Sequence, residues 1–335
     1  IDTWWRYYGQ GGELNIFVVY NEDKVAGGIP LYIKRGRGVY APFRILSYVG
    51  GSVANYTELF STGSKEEVVR LLKEALTARK DWDILCLTDI REASGLVAEL
   101  RRTLSGREFW PILACDHLNW AIDLSAGKDD YFSTLSGKLK RDLRSKRRRL
   151  SDEYGAIKLT RINGPEDVKR YFQKYIEFSL GAFDARERDS NFEDERYRGF
   201  FRDFMMDMDR RGQLAAHALM AGDNLLALSF GYSVDNTFNW VLTGFDYKYK
   251  YFRPGYLLIE ELINDVAARG QAYYNWYAHE RFYKTQWCND RTPLYRFILI
   301  RPGLKGAGYK TLHAFKNILK SNKAIVNLTR RLKRS

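Results

Sequence analysis

Hydrophobic and polar positions alternate along the chain in a way that predicts most of its elements. Residues 14–20 and 25–33 are rich in β-branched and aromatic side chains, and the polar stretch Asn21-Glu22-Asp23-Lys24 lies between them, which predicts a hairpin. A short aromatic helix at 4–8 precedes it, ended by Gly9, and a further strand is expected at 44–49. Ser64-Lys65-Glu66-Glu67 reads as a capping box opening a helix to about Arg79, with Val68, Leu71, Leu72, Ala75 and Leu76 at helical spacing. A buried strand at 83–87, a helix near 93–104 and strands near 110–114 and 119–124 complete this half. The second half predicts a long charged helix from about 129 to 154 and a strand at 156–162. Helices follow at about 163–183 and 193–211, then strands at 213–220, 224–233 and 237–243. A helix opens at Pro254-Gly255 and ends near Gly270. A strand at 272–278, a short helix at 279–287 and a strand at 295–301 close the pattern.

The halves read as one pattern used twice. The hairpin around Asp23 matches the hairpin around Asp223. Each is followed by a strand, a glycine-containing junction (Gly50-Gly51 and Gly244), a helix and another strand. A length of 335 residues agrees with two domains. No apolar run is long enough for a membrane span, and no secretory signal is read, although opening at Ile1 rather than Met leaves room for residues upstream. Cys86, Cys115 and Cys288 lack CxxC spacing and four scattered histidines form no metal signature, so reduced thiols, a cytoplasmic setting and no metal are expected.

The formal charge of +13 is concentrated. The run KLKRDLRSKRRR, residues 138–149, carries eight basic residues and one Asp, and residues 305–335 carry nine Lys and Arg with no acid. Such segments suit an anionic membrane surface, nucleic acid or a nucleotide-bearing substrate, or form a solvated helix face. Leu312, Phe315, Ile318, Leu319, Ile325, Val326 and Leu328 alternate with the tail's basic residues, as in a surface-lying amphipathic helix or one docked on its own domain.

The chemistry concentrates between residues 240 and 290. Gly244 ends a strand, where a backbone that must leave its ladder favours glycine or a bulge. Arg253-Pro254-Gly255 opens the next helix. Proline is tolerated in a first turn, glycine allows phosphate to approach the free amides, and Arg253 adds charge. A hairpin, third strand, helix and fourth strand, with helices before them, is the order of a GNAT domain. The segment TGFDYKYKYFRPGYLLIEELINDVAARG, then YNWYAHERFYKTQW, resembles the C-terminal signature of the CelD/BcsL-type acetyltransferases. That signature combines Gly-Tyr/Phe-Asp-x-x-Tyr, a Pro-Gly helix start and Glu-x-Tyr-Lys-x-x-Trp; here the last is Glu280, Tyr283, Lys284 and Trp287, with Arg281-Phe282 between Glu and Tyr. Trp4-Trp5 is similar to the family's N-terminal Trp-Trp element. Ala54-Asn55-Tyr56 stands where these proteins often carry Ser-Asp-Tyr, and with Asn at 55 the position is not read as a base. The Fem aminoacyl transferases share the double-GNAT plan, and bacterial ceramide synthases look like wider relatives.

The resemblance implies an α/β (α+β) fold of tandem GNAT-like domains, each a mixed, mostly antiparallel sheet flanked by helices. The domains would be 1–125, without its own cofactor, and 126–304, with the acyl-thioester site, followed by the basic tail 305–335. An amine, or less often a hydroxyl, would attack acyl-CoA directly, leaving the cysteines without a role. Glu280 and His217 are the base candidates and Tyr283 the acid, although His217 also suits a packed strand histidine and Glu280–Lys284 a helix salt bridge. Val241, Thr243, Gly244, Arg253, Gly255, Tyr256, Leu257 and Lys284 are expected at the donor, and Trp5, Asn55, Tyr56 and Asp246 at the acceptor. The acceptor would be an amine of a cell-envelope lipid, ceramide-like, or of a sugar precursor. The enzyme would be cytoplasmic or peripheral on the inner face of the membrane, with nucleic acid not expected as partner. The alternatives are a Fem-like transfer from aminoacyl-tRNA and a binding protein without chemistry, whose cavity beside Gly244 would be filled by aromatics. The oligomeric state is not readable.

Overall fold

The computed structural model describes residues 1–51, 56–184, 190–278 and 280–321. The first half of the chain folds as α1 (Asp2–Tyr8), β1 (Gly12–Asn21), β2 (Lys24–Arg35), β3 (Arg44–Tyr48), β4 (Phe60–Ser61), α2 (Lys65–Ala78), β5 (Ile84–Arg91), α3 (Leu96–Leu104) and β6 (Trp110–Asp123). The second folds as α4 (Lys128–Thr134), α5 (Gly137–Tyr154), β7 (Ile157–Ile162), α6 (Pro165–Asp184), α7 (Glu195–Arg210), β8 (Leu214–Ala221), β9 (Asn224–Val234), β10 (Thr237–Phe245), α8 (Pro254–Ala268), β11 (Tyr273–Asn275), α9 (Phe282–Trp287), β12 (Asp290–Ile300) and α10 (Leu304–Ser321). The chain divides into an N-terminal unit, Thr3–His117 with the stretch from Pro293 onward, and a C-terminal unit, Leu118–Thr292.

In the N-terminal unit β1, β2 and β3 are antiparallel neighbours, β3 runs parallel to β5, and β5 pairs antiparallel with β12. Sequence order suggested that the last strand closes the second domain. Pairing with β5 instead puts Leu294–Ile300 in the first sheet, because Phe297 and Leu299 complete the core formed by Leu72, Trp82, Leu85 and Leu100. The tail helix α10 docks by Tyr309 against Phe43 and Ile300 of its own unit, so its first half is a packed helix rather than a free surface one. Positions 322–335, among them Ile325, Val326 and Leu328, lie outside the described residues.

The C-terminal unit repeats the plan. β7, β8, β9 and β10 are antiparallel neighbours, β10 runs parallel to β11, and β11 pairs antiparallel with the end of β6. The two hairpins agree in register as well as order. Tyr20 faces Val25 and Met220 faces Leu225, with a register shift one residue earlier in both, at Val19/Tyr20 and Leu219/Met220. On one sheet face α5 and α8 bury Leu143, Leu150, Leu258 and Leu262 against Ala215, Leu219 and Trp240. On the other, Phe172 and Tyr175 of α6 pack on Phe230.

Three local expectations change. The charged helix 129–154 is two helices, because Ser136 caps α5 by accepting from the Leu139 amide at 3.2 Å. The strands near 110–114 and 119–124 are one strand, β6. Ser64 caps α2, but Glu67 pairs with Arg70 instead of returning to close the box. The complete capping box is formed by Ser190 and Glu193.

Candidate active site

β10 and β11 pair over only three residues, Thr237–Asn239 with Tyr273–Asn275. Beyond Asn239 the strands separate. β10 bulges, since Trp240 and Leu242 face consecutive partners on β9 and Val241 is the extra residue. The chain after β11 follows β6 instead, with the Trp276 amide donating to Trp120 O at 2.8 Å and the Trp120 amide to Tyr277 O at 3.2 Å. Tyr277 adopts φ +55°, an uncommon left-handed conformation for a bulky residue.

This separation is held by side chains. Lys284, 5% exposed, donates from Nζ to the carbonyls of Trp276 (2.6 Å), Tyr277 (3.2 Å) and Ala278 (2.8 Å). Burial pushes its pKa down to about 8, and nearby Arg281 adds to the shift. Tyr277 and Asn275 donate to Asn239 Oδ1 at 2.9 and 3.0 Å, and the Tyr277 hydroxyl lies 3.0 Å from that of Tyr232. Asn is depleted in strands, so two buried ones, Asn239 and Asn275, at the point of divergence were a legible signal that the sequence reading did not use.

A cavity of about 830 Å³ opens at the separated strands. Val241, Thr243 and Gly244 of β10 form one wall, and Arg253, Gly255 and Tyr256 at the start of α8 another. Tyr283 of α9 and the aromatic residues Tyr175, Phe178 and Phe192 close the remaining sides. At Gly244 a Cβ would stand 3.1 Å from the Tyr175 ring, which would have to give by a few tenths of an ångström to admit one. At Gly255 a Cβ would meet nothing closer than Phe245 at 3.6 Å, so the bare backbone leaves room for a ligand. α8 begins behind Arg253 at φ +53°, with no side-chain cap and no acidic residue in its first turn, which leaves the dipole end able to receive an anion. Arg253 also pairs with Asp142 of α5 at 2.9 Å. Tyr283 packs on Trp276, and burial pushes its hydroxyl up to about 12, so it stays a proton donor.

Seven of the expected residues, Val241, Thr243, Gly244, Arg253, Gly255, Tyr256 and Tyr283, therefore share one cavity. Others stand elsewhere. Leu257 is buried in the core under α8. Lys284 faces the carbonyls just described rather than a phosphate. Glu280 is exposed and precedes α9, which starts only at Phe282, so the pair does not share the helical turn that the alternative salt-bridge reading needed. His217 is buried in mid-β8 against Asp265 of α8 (3.2 Å) and Arg269 just past its end (3.1 Å), off the cavity lining, and burial lowers its pKa. Asp246 caps the turn after β10 by accepting from the Lys248 amide at 2.9 Å. Trp5 and Tyr56 belong to the N-terminal unit, Trp5 against Tyr32 and Tyr56 under Arg91; Asn55 lies outside the described residues. Among the described residues the lining holds cations, Lys250, Arg253 and Arg281, but no carboxylate or imidazole.

Residues 137–285 match the sequence family described as an acetyltransferase (GNAT) domain. No curated protein matches the chain. Among solved structures it is similar to FemX (9% identity, TM-score 0.62, 90% of this chain and 91% of that one). It is also similar to a conserved protein of unknown function from Bacteroides thetaiotaomicron (16%, 0.58, 90% and 88%). A third is the C-terminal domain of a protein named as a lysylphosphatidylglycerol synthetase from Agrobacterium fabrum (14%, 0.56, 95% and 90%). At these identities the likeness is one of fold. Residues 137–285 thus match a GNAT-type acetyltransferase domain, and the two units of the chain both follow the GNAT strand order.

Proposed function

We propose that the C-terminal unit transfers an acyl group from a coenzyme A thioester to an amine, as a CelD/BcsL-type N-acyltransferase, while the N-terminal unit binds no donor of its own. The observation that carries this reading is the held-open strand pair leading to an uncapped, acid-free helix start at Gly255. Pantetheine amides would continue the β10 ladder where β11 departs, and pyrophosphate would sit at Gly255 beside Arg253. Backbone amides at the Val241 bulge would face the thioester oxygen. The amine nitrogen forms the new bond to the carbonyl carbon, the C–S bond breaks, and Tyr283 gives its proton to the thiolate. Glu280, which adjoins the lining residue Arg281, would take the amine's proton, so both residues exchange protons with water between turnovers.

The open volume of the cavity speaks against a module without chemistry, whose site aromatics would have closed. The acceptor in this reading is an amine-bearing lipid, ceramide-like, or a sugar precursor of the cell envelope; the aromatic wall of Tyr175, Phe178 and Phe192 suits the lipid better. A second reading, transfer from an aminoacyl-tRNA, draws on the exposed arginines 144, 148 and 149 of α5. Calorimetry separates them. Acetyl-CoA should bind the wild type, and Gly255→Glu should weaken it at least about 10-fold by placing a carboxylate where phosphate lies. Unchanged affinity in a correctly folded Gly255→Glu protein overturns the donor assignment.

A further inference from the structure

We propose that the mouth of the C-terminal cavity docks on an anionic lipid surface through two aromatic–basic pairs, Lys250/Tyr251 and Arg281/Phe282. This deepens the lipid-acceptor reading above, and a bilayer lipid would then pass from the interface into the cavity without crossing water. Lys250, Arg281 and Phe282 line the cavity. Tyr251 lines an adjoining hollow with Lys146, Arg149 and Phe252, where Asp152 and Glu153 also lie. Tyr251 is 73% exposed and Phe282 77%, the highest values among the large apolar side chains described in this unit. Neither position needs an apolar residue for folding: one is in a short turn after β10, the other opens α9. Exposed aromatics beside cations at the rim of a cavity are what an interface site requires, because aromatic rings settle at headgroup depth while Lys and Arg meet anionic headgroups.

The ring geometry favours lipid over RNA. Lys250 Nζ lies 4.4 Å from the centre of the Tyr247 ring and 5.2 Å from that of Tyr251. A single-stranded nucleic acid would need those ring faces for base stacking, and a cation already covers one face of each. The ring edges and the Phe282 side chain remain for acyl chains.

Flotation of the full chain with phosphatidylcholine vesicles, with and without phosphatidylglycerol, tests the proposal without any catalytic step. The wild type should float with the anionic vesicles and poorly with the neutral ones. Tyr251→Ser/Phe282→Ser should reduce partitioning at least about 10-fold while keeping the wild-type thermal midpoint. A chain ending at Ser321, which retains every described element, should float almost as well as the full one. Wild-type flotation by the double variant, loss of flotation on ending the chain at Ser321, or no flotation of the wild type would each overturn it. So would retention of RNA by the wild type that the double variant loses. Because acetyl-CoA binding is measured separately, failure of the surface and failure of the donor site remain distinguishable.

Discussion

In the N-terminal unit the helix between the two parallel strands starts behind Ser64, whose hydroxyl accepts from the Glu67 amide, and Glu66 and Glu67 fill its first turn. In the C-terminal unit the equivalent helix starts behind Arg253, with Pro254 first, no side-chain cap and no acid. The strands differ at one point. Both parallel pairs cover three residues, and in both the second strand then follows its antiparallel neighbour, β5 along β12 and the chain after β11 along β6; the difference is that β10 bulges at Val241 whereas β3 keeps its register on β2. One topology therefore yields either a satisfied helix end, which repels anions, or an open one. The hairpin register, common to both, has no bearing on which. The choice rests on two positions: the first turn of the helix and the bulge in the first parallel strand.

The largest expected effect is on Tyr283, which has no counterpart in the N-terminal unit in this reading. Tyr283→Phe should lower turnover by about 100-fold with little change in the Michaelis constant, because the hydroxyl acts only as the thiolate forms. Steady-state kinetics check this, and wild-type turnover would remove the acid role while leaving the fold untouched.

Next comes the carbonyl clamp. Lys284→Met should weaken acetyl-CoA binding by about 10-fold, since three carbonyls lose a shared donor and the strand end is freed to relax toward β10. The wild type carries its own control in pH. The folded pKa of Lys284 is lowered to about 8 from 10.5, with burial the main cause, Cys288 opposing and Arg281 assisting. Between those values the unfolded chain holds a proton that the folded one has released, so this group's contribution to stability rises with pH. Donor affinity should instead fall through about pH 8, because a neutral amine donates to two carbonyls at most. Calorimetry across pH 7–9 should show that fall in the wild type and not in Lys284→Met. A flat wild-type profile would mean that the clamp does not need its charge.

The smallest effect sharpens the comparison from the other side. Ser64→Ala should cost about 1 kcal/mol of stability in urea unfolding and leave acetyl-CoA affinity unchanged. A change in affinity would tie the capped helix to the donor site after all.

Much of the site was legible because its signals are local. Gly244 and Arg253-Pro254-Gly255 declare a strand end and a helix start within a dozen residues, and all four line the cavity. Glu280 and Lys284 were misleading for the same reason. Their spacing fits a helical turn, yet Arg281 caps a helix that begins at Phe282, leaving Glu280 outside it while Lys284 turns inward to the end of β11. His217 looked like a base because an imidazole in a strand can face either way. Here it faces α8, and Asp265 and Arg269 occupy it.

The sequence by itself determined the two hairpins, the helices between parallel strands and the duplicated order, since these follow from side-chain period, turn residues and contacts within a few positions. Only the tertiary structure decided that β12 completes the first sheet, that β11 leaves β10 after Asn275, and that a buried ammonium holds it there. The physical reason is separation along the chain. Asn239, Asn275 and Lys284 act through partners on β10, β11, β6 and α9, and no periodicity within a single element records which strand edges will meet.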